Sequence, residues 1–284
     1  MIVTEPLFII MKRNLSILSL LFGLFVCVTA FCACGGDDES SSGDNNGSGS
    51  IPQTSKHVAK IITEDGSRIF ESTYTYDSQG RVTKIIETES GTYQDIRTEI
   101  TYQYGETVII KKEFEEGISN GKSYSWSGSY AYTVENGRIV KYKQGSTTTT
   151  YSYDANNYLS SIRTEYSDTE SKTSTITWSN GNLIKDGDMT FSYSNYSWVK
   201  GIPFKLIGDS YLFSMGYYGN TPRNLPSKMS NRSALTEEWI NDEIALYEWS
   251  YEYTLQDNYV TKMIAKPTRE NNKYHINTST IIWE

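Results

Sequence analysis

Apolar and polar residues alternate with a period of two along most of the chain after about residue 56. The alternation is clearest at 73–76, 98–104, 147–153 and 247–254, which read TYTY, TEITYQY, TTTTYSY and YEWSYEYT. A period of two places successive side chains on opposite faces of a strand, and tyrosine, threonine, valine, isoleucine and tryptophan favour strands. Helical periodicity is nearly absent. We therefore predict an all-β protein built mostly of antiparallel strands.

A recurring unit sets the predicted turns. The stretch YTYDSQGRVTKI at 74–85 returns as YSYDANNYLSSI at 151–162, and two-residue variants follow at other sites. Asparagine and glycine tolerate the left-handed backbone that such hairpin turns require. The predicted reversal points are Gly80, Asn157, Gly137 and Gly181. The predicted facing pairs are Tyr76–Val82, Tyr74–Lys84, Tyr153–Leu159, Glu135–Arg138, Val134–Ile139, Trp178–Leu183, Leu255–Val260 and Tyr104–Thr107.

One segment departs from the alternation. Residues 198–218 read WVKGIPFKLIGDSYLFSMGYY and form the most apolar part of the chain after the leader, and Pro203 and Gly208 exclude one long helix. We predict a short irregular or helical plug against the concave face of the sheet. The expected architecture is one extended, twisted antiparallel meander that curls into a half-barrel or a two-layer sheet. Residues 231–247 fit either a short helix or a loop, and the pattern does not decide between them.

The amino-terminal region has the pattern of a secretory leader. A basic Met11-Lys12-Arg13 precedes an apolar run from Leu15 to Ala33, so residues 1–33 are predicted to be a signal peptide whose true start is Met11. Ala33 provides the small residue that signal peptidase II requires before a cysteine. The segment FCACG at 31–35 thus resembles a lipobox, and the resemblance implies that Cys34 is lipid-modified and anchors the chain to the outer membrane.

The residues after this cysteine are typical of a tether. Residues 34–55 are rich in glycine, serine, asparagine and aspartate, a composition that cannot bury a core. Residues 56–284 are then expected to form a single β domain. The acidic cluster at 37–39 fits either a surface-export signal or a solvated spacer, so both the cell surface and the periplasmic face stay open as locations.

Composition excludes several function classes. The formal charge is −8, and it becomes −9 without residues 1–33, whose net charge is +1. An acidic chain without a basic stripe is not expected to bind nucleic acid. All three cysteines lie at or before position 34, so no disulfide is expected in the folded part. The sequence indicates no cofactor and makes no prediction of oligomeric state.

Candidate chemistry is sparse. His57 and His275 are the only histidines and lie far apart in sequence, so neither is predicted to be catalytic. No metal site is predicted, and the acids within 111–116 (KKEFEE) are interpreted as a solvated strand face. The residues proposed for an aromatic binding surface are Trp126, Trp178, Tyr217 and Tyr218.

Two resemblances rest on these motifs. The unit at 74–85 resembles the YD repeat of Rhs-type toxins and teneurins. More of the chain resembles a family of Bacteroidetes lipoproteins without an assigned activity. The shared features are the CGGDD start at 34–38, the YxYDxxGRVxxI hairpins, and a glycine-rich stretch ending in Leu-Pro-Ser-Lys at 225–228. The resemblance implies a lipoprotein and supplies no catalytic residues.

Two functions stay open at this point. The first is a non-enzymatic, outer-membrane-anchored binding or assembly module, with a polysaccharide or a surface protein as its partner. The alternative is a carboxylate-based glycoside hydrolase or lyase. That enzyme requires two acids together in a cleft, one of them desolvated, and acids dispersed over the outer face would exclude it.

Overall fold

A computed structural model describes residues 56–91, 94–119, 121–167, 170–204, 206–231, 247–267 and 275–284. The predicted signal peptide, Cys34 and the tether lie outside these ranges. The choice between helix and loop for residues 232–246 also falls outside them. No helix within the described ranges is long and apolar enough to cross a bilayer.

Sixteen strands and one short helix make up the described chain. In chain order they are β1 Val58–Asp65, β2 Arg68–Tyr76, β3 Val82–Ser90, β4 Gln94–Tyr104, β5 Val108–Ser119, β6 Lys122–Glu135, β7 Arg138–Gln144, β8 Thr147–Tyr153, β9 Leu159–Ser167, β10 Glu170–Ser179, β11 Asn182–Asp186, β12 Met189–Ser197, α1 Ser210–Ser214, β13 Asn224–Asn231, β14 Tyr247–Gln256, β15 Tyr259–Pro267 and β16 Asn277–Trp283.

The strands form a closed antiparallel barrel. Each strand pairs with its neighbours in sequence, and β1 pairs with β16 through partners such as Ile61 and Ile281. Just outside this pair, the His57 N–H donates to the Glu284 carbonyl at 2.6 Å, and the Glu284 N–H donates back at 2.7 Å. The all-β prediction is confirmed, whereas the half-barrel or two-layer sheet is wrong. Pairing of the first and last strands removes both sheet edges, and no short-range pattern encodes that pairing.

The predicted reversal points lie at turns. Gly80, Gly137 and Gly181 have φ of 69°, 76° and 75°, and Asn157 has φ of 66°. The predicted facing pairs that the register confirms are Tyr76–Val82, Tyr153–Leu159, Glu135–Arg138, Val134–Ile139, Trp178–Leu183 and Leu255–Val260.

Two predicted pairs are wrong. Tyr74 faces Ile85 rather than Lys84, because an irregularity next to Tyr76 shifts the register by one residue. Tyr104 faces Ile109 rather than Thr107. The Gly105 N–H donates to the Val108 carbonyl at 2.8 Å, so the turn occupies the two residues between them.

A ring-to-carbonyl hydrogen bond recurs around the barrel. In seven of the eight successive strand pairs, an aromatic side chain of the even-numbered strand donates a hydrogen bond to a backbone carbonyl near the start of the preceding strand. The donor–acceptor pairs are Tyr76–Val58, Tyr104–Val82, Tyr153–Ile139, Trp178–Leu159, Tyr193–Leu183, Tyr253–Pro226 and Trp283–Val260, with distances of 2.5–2.9 Å. Each of these aromatic residues thus links two strands through a side-chain hydrogen bond.

The predicted plug is present and fills one end of the barrel. Residues 198–204 and 206–218 run into the interior, where α1 begins after Asp209. Trp198, Phe204, Tyr211 and Tyr218 in this segment are almost completely buried. They join one continuous apolar core with the inward side chains of the strands. The plug therefore closes the end of the barrel at which the predicted reversal points Gly80, Gly137, Asn157 and Gly181 lie.

The outer face of the barrel is polar. Outward positions are mainly Thr, Ser, Lys, Glu and Arg, as in the four serines at 123, 125, 127 and 129 of β6. Outward ion pairs link neighbouring strands at Lys60–Glu71 (2.6 Å), Lys84–Glu99 (2.8 Å) and Lys228–Glu248 (3.0 Å). Each such pair contributes little stability, but together they mark a surface suited to water.

The ring-to-carbonyl bonds predict a specific loss of stability. Tyr153→Phe keeps the packed ring but leaves the carbonyl of buried Ile139 without its donor, so we expect a loss of about 1 kcal/mol in the free energy of unfolding. Urea denaturation measures this loss. Tyr166→Phe, at a ring that is 46% exposed, is the matched control and is expected to change nothing. Equal effects of the two variants would contradict the proposed role of the hydroxyl.

Candidate functional site

The barrel interior changes character beyond the plug. Cross-strand partners align Glu87 with Thr98, Thr98 with Glu115, and Glu115 with Trp126. These four inward side chains form one row across β3, β4, β5 and β6, which we call the lumenal row. The register therefore brings two carboxylates and an indole ring onto one wall of the barrel interior.

A charged cluster joins this wall to the plug. The Lys111 Nζ lies 2.7 Å from Glu113 Oε1 and 2.7 Å from Asp209 Oδ2. The Tyr102 hydroxyl donates to both Asp209 oxygens, at 3.2 and 3.1 Å, and Asp209 Oδ1 accepts from the Leu212 N–H at 3.0 Å. Burial alone lowers the pKa of Lys111, but the two carboxylates outweigh burial and raise its pKa well above the usual value. The lysine is therefore a permanent cation.

The interior carries more negative than positive groups on this wall. Four acids lie here, and only Glu113 and Asp209 are ion-paired, both with Lys111; the other two are Glu87 and Glu115. Within the described residues, neither Glu87 nor Glu115 has a lysine or arginine at ion-pair distance. Glu115 accepts a long bond (3.4 Å) from the Thr98 hydroxyl and lies close to the Tyr124 hydroxyl. The wall thus presents carboxylates that the chain itself does not neutralise.

Glu87 is a desolvated acid. Burial raises its pKa, and the charge of Lys111 only partly opposes this effect. The buried hydroxyl of Tyr74 has no hydrogen-bond partner among the described atoms. Burial raises the pKa of Tyr74 well above its usual value, and the nearby Glu87 raises it further. A desolvated acid and an unpaired hydroxyl therefore lie together at one end of the lumenal row.

Trp126 lies at the other end of the row, over a glycine. A Cβ on Gly128 would come within 2.7 Å of the indole Cη2 and 2.9 Å of the Tyr130 hydroxyl. The absence of a side chain at Gly128 lets the indole lie flat against the wall. Trp126 is 37% exposed, and it belongs to an inward series on β6 that also contains Tyr124, Tyr130 and Tyr132. Its ring is an accessible platform for stacking.

The four aromatic candidates from the sequence do not form one surface. Trp178 is half-buried, donates its indole N–H to the Leu159 carbonyl at 2.8 Å, and packs on the core. Tyr217 stacks on Tyr104, with centroids 6.0 Å apart. Tyr218 is 0% exposed and makes an edge contact with Tyr151. Trp126 alone of the four lies in the lumenal row, and a binding role for any of them stays a prediction.

The two histidines lie at opposite ends of the barrel. His57 packs on Tyr76 with ring centroids 4.7 Å apart at the plugged end, and burial lowers its pKa although Glu284 opposes this. His275 is exposed and contacts Gly66 at the open end. No three acids, histidines or cysteines are arranged to hold a metal within the described residues.

The acids of the lumen were not identified from the sequence. The stretch 111–116 was interpreted as a solvated face, but its residues alternate: Lys111, Glu113 and Glu115 lie inside, whereas the intervening residues lie outside. The sequence signal that could have identified them is the phase of the alternation, that is, which alternate positions of the strand face inward. These inward residues are two, four and six positions after Ile109, which is fully buried.

A second concavity lies on the outer face over β4, β5 and β6. It is a shallow depression lined partly by Thr101, Lys112, Phe114 and Ser127. The small serines of β6 leave room beside Phe114, which is 41% exposed. The depression holds no desolvated acid, so the lumenal row is the stronger candidate site.

Comparisons with known proteins inform the fold. No family model and no curated protein matches the sequence. A solved porin-like protein from Bacteroides uniformis ATCC 8492 is similar in structure, with a TM-score of 0.56 and 19% identity over 80% of this chain and 96% of that chain. Another porin-like protein, from Bacteroides vulgatus ATCC 8482, covers 80% of this chain and 98% of its own, with a TM-score of 0.34 and 11% identity. The first likeness supports the barrel fold.

The raised pKa of Glu87 predicts how stability depends on pH. The folded state holds this proton more tightly than the unfolded chain, so stability falls as pH rises from the unfolded pKa of 4.5 through the higher folded value. Glu87→Gln removes the free-energy cost of ionising this buried carboxyl. We expect a higher Tm at pH 7, by about 2–4 °C per kcal/mol gained, and little change below pH 4. Thermal unfolding followed by circular dichroism at both pH values measures this; a Tm gain independent of pH would contradict it.

Proposed function

We propose that the protein is a non-enzymatic binding module that holds a carbohydrate in the open half of its barrel. The observation that carries the proposal is the exposed Trp126 ring, lying over Gly128 with the Glu115 carboxylate as its cross-strand neighbour. Sugar rings stack on aromatic faces, and carboxylates accept hydrogen bonds from sugar hydroxyls. Ligand sites commonly occupy the mouths of barrels.

A receptacle fits the residues better than a membrane channel. Channels need two open ends, and here the apolar plug fills one end with residues such as Trp198 and Tyr218. Barrels that span a membrane carry an apolar outer band about 25 Å tall with aromatic girdles. The outer face of this barrel instead carries threonine, serine and ion pairs such as Lys84–Glu99. The "porin-like" description therefore transfers to this chain as a fold and not as a pore.

The anchor prediction fits this arrangement. The described chain begins beside the plugged end, where His57 bonds to Glu284. A tether running from a lipidated Cys34 would therefore join the barrel at its closed end and leave the mouth facing away from the membrane. Anchoring at the outer membrane, on the surface or the periplasmic side, remains part of the proposal.

Binding in the lumen makes Trp126 essential and the outer depression dispensable. Trp126→Ala is expected to weaken binding of an oligosaccharide by at least tenfold, about 1.4 kcal/mol, measured by calorimetry with ligands selected on a glycan array. Phe114→Ala is the matched control, because Phe114 has similar exposure (41% against 37%) on the opposite face of the wall. The control should bind normally. Loss of binding in Phe114→Ala alone would move the site to the outer depression.

A carboxylate-based hydrolase or lyase is the second candidate, and one observation favours it. The barrel brings acids together inside the lumen, and burial raises the pKa of Glu87, as a general acid requires. Against it, Glu113 is held by Lys111 at 2.7 Å. An ion-paired carboxylate is a weaker base or nucleophile than a free one.

Product analysis separates the two functions. If the protein is a binding module, oligosaccharides that bind should remain intact after prolonged incubation with the wild type. Release of shorter products by the wild type, abolished in Glu87→Gln but retained in Glu116→Gln on the outer face, would establish the enzyme instead.

A further inference from the structure

The lumenal row lacks a cation where its geometry is suited to one. We infer that the saccharide bound in the lumen carries a protonated amino group, which lies between the Glu115 carboxylate and the Trp126 ring. This inference rests on the proposed function and names the class of its ligand, an amino sugar with a free amine.

The position of Glu115 is suited to binding an ammonium group. Glu115 is the direct cross-strand neighbour of Trp126, and both side chains face the lumen. Within the described residues no lysine or arginine neutralises Glu115, because Lys111 is already bound to Glu113 and Asp209 at 2.7 Å each. A carboxylate beside an exposed indole face forms a site for an ammonium group, which both groups attract.

The other end of the lumenal row offers polar groups to the rest of the ligand. Glu87 has no ion pair within the described residues, and the buried Tyr74 hydroxyl beside it has no hydrogen-bond partner. Buried polar groups normally have partners, so an unpaired hydroxyl beside a desolvated acid indicates a place for polar groups of a ligand. The row therefore offers an ammonium site near Trp126 and hydroxyl partners farther along the same wall, as an oligosaccharide would use them.

Alternative ligand charges fit less well. An anionic sugar would face Glu87, Glu113, Glu115 and Asp209. The inward cations Lys111 and Arg68 are already paired, Lys111 with Glu113 and Asp209 and Arg68 with Asp65 and Glu89. A neutral sugar would stack on Trp126 but would leave Glu115 without a cation. An amine satisfies the carboxylate and the ring together, so charge complementarity selects it.

The test compares two ligands that differ only in the charge. Calorimetry at pH 6 measures binding of a fully deacetylated glucosamine trimer, whose amines are protonated, and of its N-acetylated counterpart. We expect at least tenfold tighter binding of the free amine. Glu115→Gln should remove that preference without changing the affinity for the acetylated trimer. Glu116→Gln, the next residue on the outer face, is the matched control and should leave both affinities unchanged.

Salt provides a measurement that does not depend on folding of a variant. Raising sodium chloride from 50 to 500 mM should weaken binding of the amine to the wild type several-fold and leave the acetylated trimer unaffected.

Each outcome has a separate meaning. Equal binding of both trimers, weakened for both by Trp126→Ala, overturns the amine and leaves the receptacle standing. Tighter binding of the acetylated trimer, or a preference that survives Glu115→Gln and high salt, also overturns the amine. Binding of neither trimer overturns the amine; the glycan-array ligands and Trp126→Ala then decide the receptacle independently.

Discussion

The hydrogen-bonded pairing of β1 with β16 is the constraint on which the rest of the structure depends. It joins the two ends of a sixteen-strand meander, and the exchange of bonds between His57 and Glu284 completes the seam. A closed sheet has no edge for aggregation, and it separates an inside from an outside. Because of that separation, the alternating side chains of each strand fall into two sets. Threonine, serine and ion pairs face water, whereas aromatic rings and acids face the interior.

The interior is divided into two halves with different physical roles. At the plugged end, the plug packs into the apolar core, and seven aromatic side chains such as Tyr153 and Trp283 donate to backbone carbonyls of the preceding strand. At the other end, the lumenal row holds the desolvated carboxyl of Glu87, the carboxylate of Glu115 and the exposed indole of Trp126. Lys111 lies between the two halves and binds Asp209 of the plug and Glu113 of the wall. The same ammonium therefore links the plug to the wall, and Glu115 is left without a cationic partner among the described residues.

Local patterns predicted what local interactions determine. The left-handed turns at Gly80, Asn157, Gly137 and Gly181 follow from backbone sterics, and the facing pairs next to them follow from the turns. Barrel closure was not predictable, because it joins residues such as Ile61 and Ile281 across the whole chain. The site was missed for a related reason. Charges within a strand suggest a solvated face, and only the phase set by buried Ile109 assigns Glu113 and Glu115 to the interior. Trp126 was identified as a candidate, but its companions come from other strands.

The central claim is that one end of the barrel is an open, water-filled receptacle and the other is sealed. A chain starting at Gly35 has no native cysteine, so single cysteines report local access. Cysteines replacing Thr98 in the lumen, Ser127 outside and Tyr218 in the plug can be tested with a small maleimide and a polymer-linked one. We expect Ser127→Cys to react with both reagents, Thr98→Cys to react with the small reagent much faster than with the polymer, and Tyr218→Cys to react with neither. A lumenal cysteine as inert as the buried one would contradict it.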